Sequence, residues 1–241
     1  MKYLLLALPA TLVATQAFGQ HLEYSVRANA GFSEFRGATT TATTAVSTTA
    51  TDGGTESSRV INPYGKRLGA GAGASLRAQR VGKTGLLTAF DLGFDWMQAR
   101  ADVTAIYYNS SSASYTRAAT GKVHLYTPSV TAFLGAGWRL GGEKLALDAL
   151  VGPELAYVLN AREVGDGSST INGSWRTDLS RPPANHLDFR LRGDLTVWRS
   201  RVGLMASYST GFANYQPATT SIANPDASVR IARVGLAYRL K

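Results

Sequence analysis

From Leu22 onward the residues alternate without a break. Leu22, Tyr24, Val26, Ala28, Ala30 and Phe32 stand on one side, and Glu23, Ser25, Arg27, Asn29, Gly31 and Ser33 on the other. A period of two places these sets on opposite faces of an extended strand, one apolar and one polar. The pattern returns at 67 to 80, where Leu68, Ala70, Ala72, Ala74 and Leu76 oppose Arg67, Gly69, Gly71, Gly73, Ser75 and Arg77. It returns again at 85 to 97, with Leu86, Phe90, Leu92, Phe94 and Trp96 against Ala89, Asp91, Gly93 and Asp95. Further copies at 122 to 140, 145 to 162, 185 to 198, 202 to 215 and 228 to 240 bring the number to eight, and no sustained helical period occurs.

The connections alternate in length: long at 36–66, 98–121, 163–184 and 216–227, short at 80–84, 141–144 and 199–201. Strands joined in this rhythm form an antiparallel up-and-down meander with its long loops at one end. The expected fold is therefore all-β, an eight-stranded antiparallel up-and-down transmembrane β-barrel. A soluble barrel would show the same period with its faces reversed. The apolar face is assigned outward because glycine crowds the polar face (Gly31, Gly69, Gly71, Gly73, Gly93, Gly135, Gly137, Gly152, Gly203, Gly211), where a cramped lumen suits it. Aromatics on the apolar face also gather at two levels, Tyr24, Trp138 and Tyr238 at one and Phe32, Trp96, Tyr157 and Phe212 at the other, as in the two girdles of a membrane barrel.

The first residues set Lys2 before an apolar run from Tyr3 to Ala14 and small residues at Ala17 and Gly19, the layout of a secretory signal. Domain organisation is then 1–19 signal peptide and 20–241 barrel, with export to the outer membrane. An even strand count returns the chain to its starting side, so both ends of the barrel are expected in the periplasm. Cysteine is absent, which excludes thiolate chemistry, disulfides and Cys-ligated metals. The net charge of +9 admits nucleic acid or anionic lipid as a partner, and export argues against nucleic acid. The expected partners are outer-membrane lipid and an external ligand met through 36–66 and 163–184.

The stretch from Gly121 to Val158, GKVHLYTPSVTAFLGAGWRLGGEKLALDALVGPELAYV, carries Thr127-Pro128, an aromatic at Phe133, a tight turn, then Gly152-Pro153 with Tyr157. It resembles the outer-membrane β-barrel domain family common in Bacteroidetes, of the porin-family or PorT-like kind. The resemblance implies a barrel and the outer membrane, and no reaction, cofactor or catalytic set. Thr127 stands where that family usually has an aliphatic residue, and the chain ends Leu240-Lys241 rather than on an aromatic. Pro128 and Pro153 lack the N–H a closed ladder requires, so each is expected at a bulge or above the hydrocarbon layer.

Other motifs read as structure. GAGAG at 69–73 has no helix after it and is a strand face rather than a dinucleotide loop. DGSST at 166–170 and NGS at 172–174 are turn chemistry. The three histidines, His21, His124 and His186, have no metal-ligand spacing, so no metal, cofactor or catalytic residue is assigned. A rim enzyme acting on lipid, of the lipid A deacylase or acyltransferase type, is the alternative: His124 and His186 fall near the external rim, with Ser129 and Asp188 near in sequence. A narrow pore is a further alternative. The first long loop holds eight threonines among the 13 residues from Thr39 to Thr51 and is expected to be mobile.

Eight strands leave room for side chains alone, so the lumen is expected to be filled. Seven acids (Glu23, Asp91, Asp95, Asp148, Glu154, Asp188, Asp194) face nine arginines (Arg27, Arg67, Arg77, Arg139, Arg162, Arg190, Arg192, Arg233, Arg239) and no lysine, the composition of a paired network. Pairing Leu140 with Leu145 across the turn sets Asp148 opposite Gly137 and diagonal to Arg139. A similar count sets Arg67 diagonal to Asp95.

Overall fold

A computed structural model describes residues 21–50, 56–109, 114–142, 144–170, 173–216 and 226–240. The segment 1–19, expected to be a signal peptide, and most of the 216–227 connection lie outside the described residues. Within them the fold is all-β, with twelve strands rather than eight: β1 (His21–Arg36), β2 (Thr43–Ala50), β3 (Glu56–Val60), β4 (Arg67–Val81), β5 (Leu86–Asn109), β6 (Ser114–Gly141), β7 (Leu145–Val158), β8 (Arg162–Ser169), β9 (Gly173–Ser180), β10 (Leu187–Arg199), β11 (Val202–Gly211) and β12 (Ser228–Arg239).

The ladders β1–β4, β4–β5, β5–β6, β6–β7, β7–β10, β10–β11, β11–β12 and β12–β1 are all antiparallel and return to their starting strand. Closure satisfies the backbone of the wall without leaving an edge, the condition for strands to stand in hydrocarbon. Alternation assigns the faces as expected: outward Leu76, Leu92, Leu134, Val151, Leu195, Leu204 and Leu236 are exposed, while inward Arg27, Arg77, Asp91, Asp194 and Arg233 are buried. Tyr24, Trp138 and Tyr238 are exposed on the outer wall near the tight turns, and Phe32, Trp96, Tyr157 and Phe212 toward its other end. A soluble barrel with an apolar interior is excluded by this arrangement.

The wall is uneven in height. Strands of 24 and 28 residues, β5 and β6, run well past the other six, whereas crossing a bilayer needs only ~9–11 residues per strand. The additional strands are built on these projecting ends. β2 lies parallel to β5 and carries β3, while β8 pairs with β6 and carries β9. The long connections 36–66 and 163–184 are thus largely sheet. Threonine is a strand former once a partner edge is present, and the overlong β5 and β6 provide that edge. The expectation of a mobile Thr-rich loop is corrected accordingly for Thr43–Ala50.

This extension has its own apolar layer, with Val46, Val60, Val103, Ile106, Val123 and Trp175 buried together. Its free edges β3 and β9 meet through side chains. Fully buried Glu163 accepts from the Val60 N–H (2.9 Å), the Thr177 hydroxyl (2.7 Å) and Arg181 Nε (2.7 Å), and Arg181 Nη2 donates to the Val60 carbonyl. Thr177 Oγ1 also lies 3.1 Å from the Ser58 carbonyl.

The ladder between β6 and β7 is interrupted at Leu134 and Gly135, opposite Gly152 and Pro153. Pro153 offers no N–H at that gap, and a Cβ on Gly152 would lie 2.0 Å from the Leu134 carbonyl oxygen, so glycine is what lets the backbones pass. Pro128 sits where β6 changes partners from β7 to β8, its carbonyl accepting from the Leu159 N–H at 3.0 Å.

Candidate functional site

The lumen holds the largest concentration of charge. Near the tight turns, Arg139 on β6 binds two carboxylates: Asp148 on β7 through Nε and Nη2 (2.6 and 2.8 Å) and Glu23 on β1 through Nη1 and Nη2 (2.7 and 2.8 Å). Asp148 also receives Gln79 Nε2 and Trp198 Nε1, both at 2.8 Å. Arg239 reaches Glu23 at 3.2 Å and stacks 4.1 Å over the Trp198 ring.

At mid-height Arg27 and Arg77 both bridge Asp91 and Asp194, with contacts of 2.5–3.2 Å, and Arg192 joins Asp194 to Glu154 (2.6 and 3.2 Å). The Phe133 ring lies beneath Arg192 at 4.6 Å. Toward the extension, Arg233 links Asp95 (2.6 Å) to Glu154 (3.2 Å), and Arg190 links Asp188 (2.6 Å) to Glu154 (3.4 Å). Above these, Phe35, Tyr64, Met97, Leu125, Tyr215 and Ile231 form an apolar layer. Tyr64 donates to the Tyr215 carbonyl at 3.0 Å, and burial pushes its hydroxyl pKa up to about 12. The lumen is therefore filled in layers, charged below and apolar above.

All seven acids expected inside are buried there. Of the nine arginines, Arg27, Arg77, Arg139, Arg190, Arg192, Arg233 and Arg239 are luminal, whereas Arg67 and Arg162 are not. The β4–β5 register shifts between Leu68 and Ala72, so Arg67 bonds Asp102 at 2.7 Å on the outside and Asp95 is taken by Arg233. Arg162 begins a new strand after β7 ends at Val158, and the inward parity changes across that break, leaving it exposed beside Asp178 at 2.6 Å. The Arg139–Asp148 contact forms, but in a register two residues away from the expected one: Leu140 faces Leu147, and Arg139 lies directly opposite Asp148.

The residues of the rim-enzyme alternative are not brought together. His124 is on the outer face of β6, across from Arg100 and Val164, while Ser129 and Asp188 are buried on the inner face. His186 is exposed and bonded to the Val158 carbonyl at 2.7 Å. Desolvation and the nearby Arg100 and Lys122 hold the His124 pKa below its ordinary value. No cluster of three or more His, Asp or Glu able to hold a metal occurs among the described residues.

The sequence reading missed the inward apolar residues Phe35, Met97, Leu125 and Tyr215, and the buried Glu163–Arg181 pair. Phe35 follows the inward parity of Ser33 and could have been found. Tyr215, Glu163 and Arg181 lie in segments without an unbroken alternation.

No family model and no curated protein matches the chain, so the likeness of 121–158 to the Bacteroidetes family has no support from one. Among solved structures it is similar to Ail, the attachment invasion locus protein of Yersinia pestis, in complex with the heparin analogue sucrose octasulfate (TM-score 0.41, 15% identity, 91% of this chain and 99% of that one). It is also similar to Neisserial surface protein A (TM-score 0.32, 11% identity, 89% and 96%) and the translocator domain of the autotransporter NalP from Neisseria meningitidis (0.21, 10%, 98% and 94%). Identity is low in each case. The barrel assignment rests on the cyclic ladder above rather than on these scores.

Proposed function

We propose that the chain is an integral outer-membrane protein whose eight ring strands cross the membrane, with its charged lumen sealed and its sheet extension standing outside as an interaction surface. The observation that carries this reading is the inversion of the wall: leucine, valine and aromatic side chains cover the outside, while carboxylates and guanidiniums are paired within. Buried charge is costly unless paired, and an exposed apolar belt is costly in water. A membrane removes the second cost and the network removes much of the first. The role read from this arrangement is structural or one of surface interaction, carried by the sheet that stands beyond the ring.

In the orientation proposed, the turns at 82–85 and 200–201 and the connection from β6 to β7 face the periplasm together with His21 and Leu240, and the extension faces the cell exterior. The absence of cysteine gives a clean test. Thr49→Cys in the extension and Lys83→Cys in a turn are each labelled on intact cells with a membrane-impermeant maleimide. Labelling of the first and protection of the second supports the reading; labelling at Lys83→Cys refutes the orientation.

A further inference from the structure

Where β6 exchanges β7 for β8, the outer wall is indented. Ser129 still faces Val158, but Tyr126 already faces Arg162, and the chain between them crosses at Leu159 and Asn160. The groove left there has a volume of about 640 Å³, within the range of small-ligand sites. Its floor is Phe94, Trp96, Tyr126 and Pro128, with Leu159 and Val164 beside them, and Arg162, Arg176 and Asp178 stand on its rim. Trp96 is 55% exposed and belongs to the aromatic level nearer the extension, so the floor continues the lipid-facing wall.

The rim carries two guanidiniums against one carboxylate. Arg162 is held bidentately by Asp178 (2.7 and 2.6 Å), whereas Arg176 is exposed and has no ion pair among the described residues. Asp178 is flanked on the sheet by Val164, and Arg176 by Asp166. An apolar trough beneath two guanidiniums, one of them without an ion pair among the described residues, at the boundary between hydrocarbon and water, is complementary to an amphiphile with its acyl chain below and a phosphate above. Arginine suits a phosphate because its planar fork donates twice and stays charged.

We propose that this groove binds a phosphorylated lipid of the outer leaflet, its acyl chain along Trp96 and Pro128 and its phosphate at Arg162 and Arg176. The inference rests on the membrane reading above. A protein partner would not need the floor to be continuous with the belt that lipid already covers.

The test uses the refolded barrel in phosphatidylcholine nanodiscs doped with diphosphorylated lipid A or with its dephosphorylated form, released into the gas phase for native mass spectrometry. Retention of the phosphorylated lipid is expected to exceed that of the dephosphorylated one by at least about tenfold, the worth of a charge-assisted contact. Arg176→Ala, and Arg162→Ala with Arg176→Ala, should remove the difference. Arg36→Ala with Arg230→Ala, cations on β1 and β12 away from the groove, should leave it intact. Heat-modifiable gel mobility reports that each variant is folded. Equal retention of the two lipids, or equal loss in both pairs of variants, overturns the proposal. Failure of the membrane reading would look different, since the wild-type chain would then not enter the discs at all.

Discussion

Truncating Arg139 leaves two carboxylates inside a wall that cannot hydrate them. Asp148 is 1% exposed and Glu23 8%, and Arg139 supplies four contacts of 2.6–2.8 Å to the pair. Breaking a buried ion pair from one side costs about 3–5 kcal/mol, because the remaining charge keeps its desolvation and loses its partner. Here the lower end applies. Asp148 retains Gln79 and Trp198 as donors, and Glu23 retains Arg239 and His21. Arg139→Ala should therefore destabilise the refolded barrel by about 3 kcal/mol. Arg199→Ala, an exposed cation beside the β10–β11 turn, should change stability by less than about 0.5 kcal/mol. Urea unfolding in lipid vesicles measures both, and Trp198 is a local reporter because its indole N–H bonds Asp148 at 2.8 Å. Combining Arg139→Met with Asp148→Asn should cost less than the sum of the single changes, since the two groups share bonds. Equal stabilities of Arg139→Ala and Arg199→Ala would refute the account of the lumen as a network in which each charge depends on its partner.

Glycine on the wall divides into positions that need it and positions that do not. A Cβ at Gly137 would lie 1.8 Å from the Ala149 carbonyl oxygen, so Gly137→Ala should cost about 1–3 kcal/mol, whereas Gly193 has nothing within 4 Å and Gly193→Ala should be neutral or stabilising by up to about 1 kcal/mol in the same assay. The seam between β3 and β9 depends on Glu163, so Glu163→Leu should speed hydrogen exchange at β3 and β9 while leaving β10 and β11 protected; uniform change across all four would contradict a local seam. His124, across the ladder from Arg100 with Lys122 two residues away on its own strand and Asp166 nearby, has its folded pKa below its ordinary value, so the opened extension takes up a proton first as pH falls. The extension is therefore unaffected above that value and loses stability as pH drops through it, so the protection of β8 amides, taken relative to their pH-dependent intrinsic exchange rates, should fall as pH drops through about 6.5 in wild type but not in His124→Gln.

The ring was legible because each of its strands is read by a local rule. Alternation in β1 or β10 needs no knowledge of a neighbour: Leu22 through Phe32 is apolar at every second place whatever strand lies beside it, and the short turns report which strands are adjacent. The extension was not legible for the opposite reason. Thr43–Ala50 has no apolar face of its own and becomes a strand only because β5 continues past the wall to offer a parallel edge, a contact between residues far apart in sequence. Within β5 the register also shifts between Val103 and Ala105, and an alternation that changes phase looks like a loop. Charges followed the same division. Arg27, Arg77 and Asp194 were placed inward by parity within unbroken strands, whereas Arg67 and Arg162 lie beyond a register shift and a strand break, and counting residues across either one turns an outward side chain inward.

Whether ions cross the lumen depends on where the arginine bonds run. Arg77 on β4 reaches Asp194 on β10 at 3.0 Å, and in the ring order β4-β1-β12-β11-β10 these strands stand opposite each other. Arg27 on β1 reaches the same Asp194 at 3.0 Å, Arg233 on β12 reaches Asp95 on β5 at 2.6 Å, and Arg139 on β6 reaches Glu23 on β1 at 2.7 Å. Each pair ties walls that are not neighbours, at three heights, so a hydrated ion would have to open all three while each carboxylate still lacked water. An eight-stranded ring is in any case only wide enough for its own side chains. Purified protein in a planar bilayer should therefore show no steady channel of porin size. Arg77→Ala with Asp194→Ala removes the diametric pair together with both charges and leaves Arg27 paired with Asp91, and Arg192 with Asp91 and Glu154. That variant should admit small, flickering currents that Arg199→Ala does not. Ohmic conductance in the wild type, of the size a water-filled barrel gives, would show that the network rearranges in the membrane and that the pore alternative is correct.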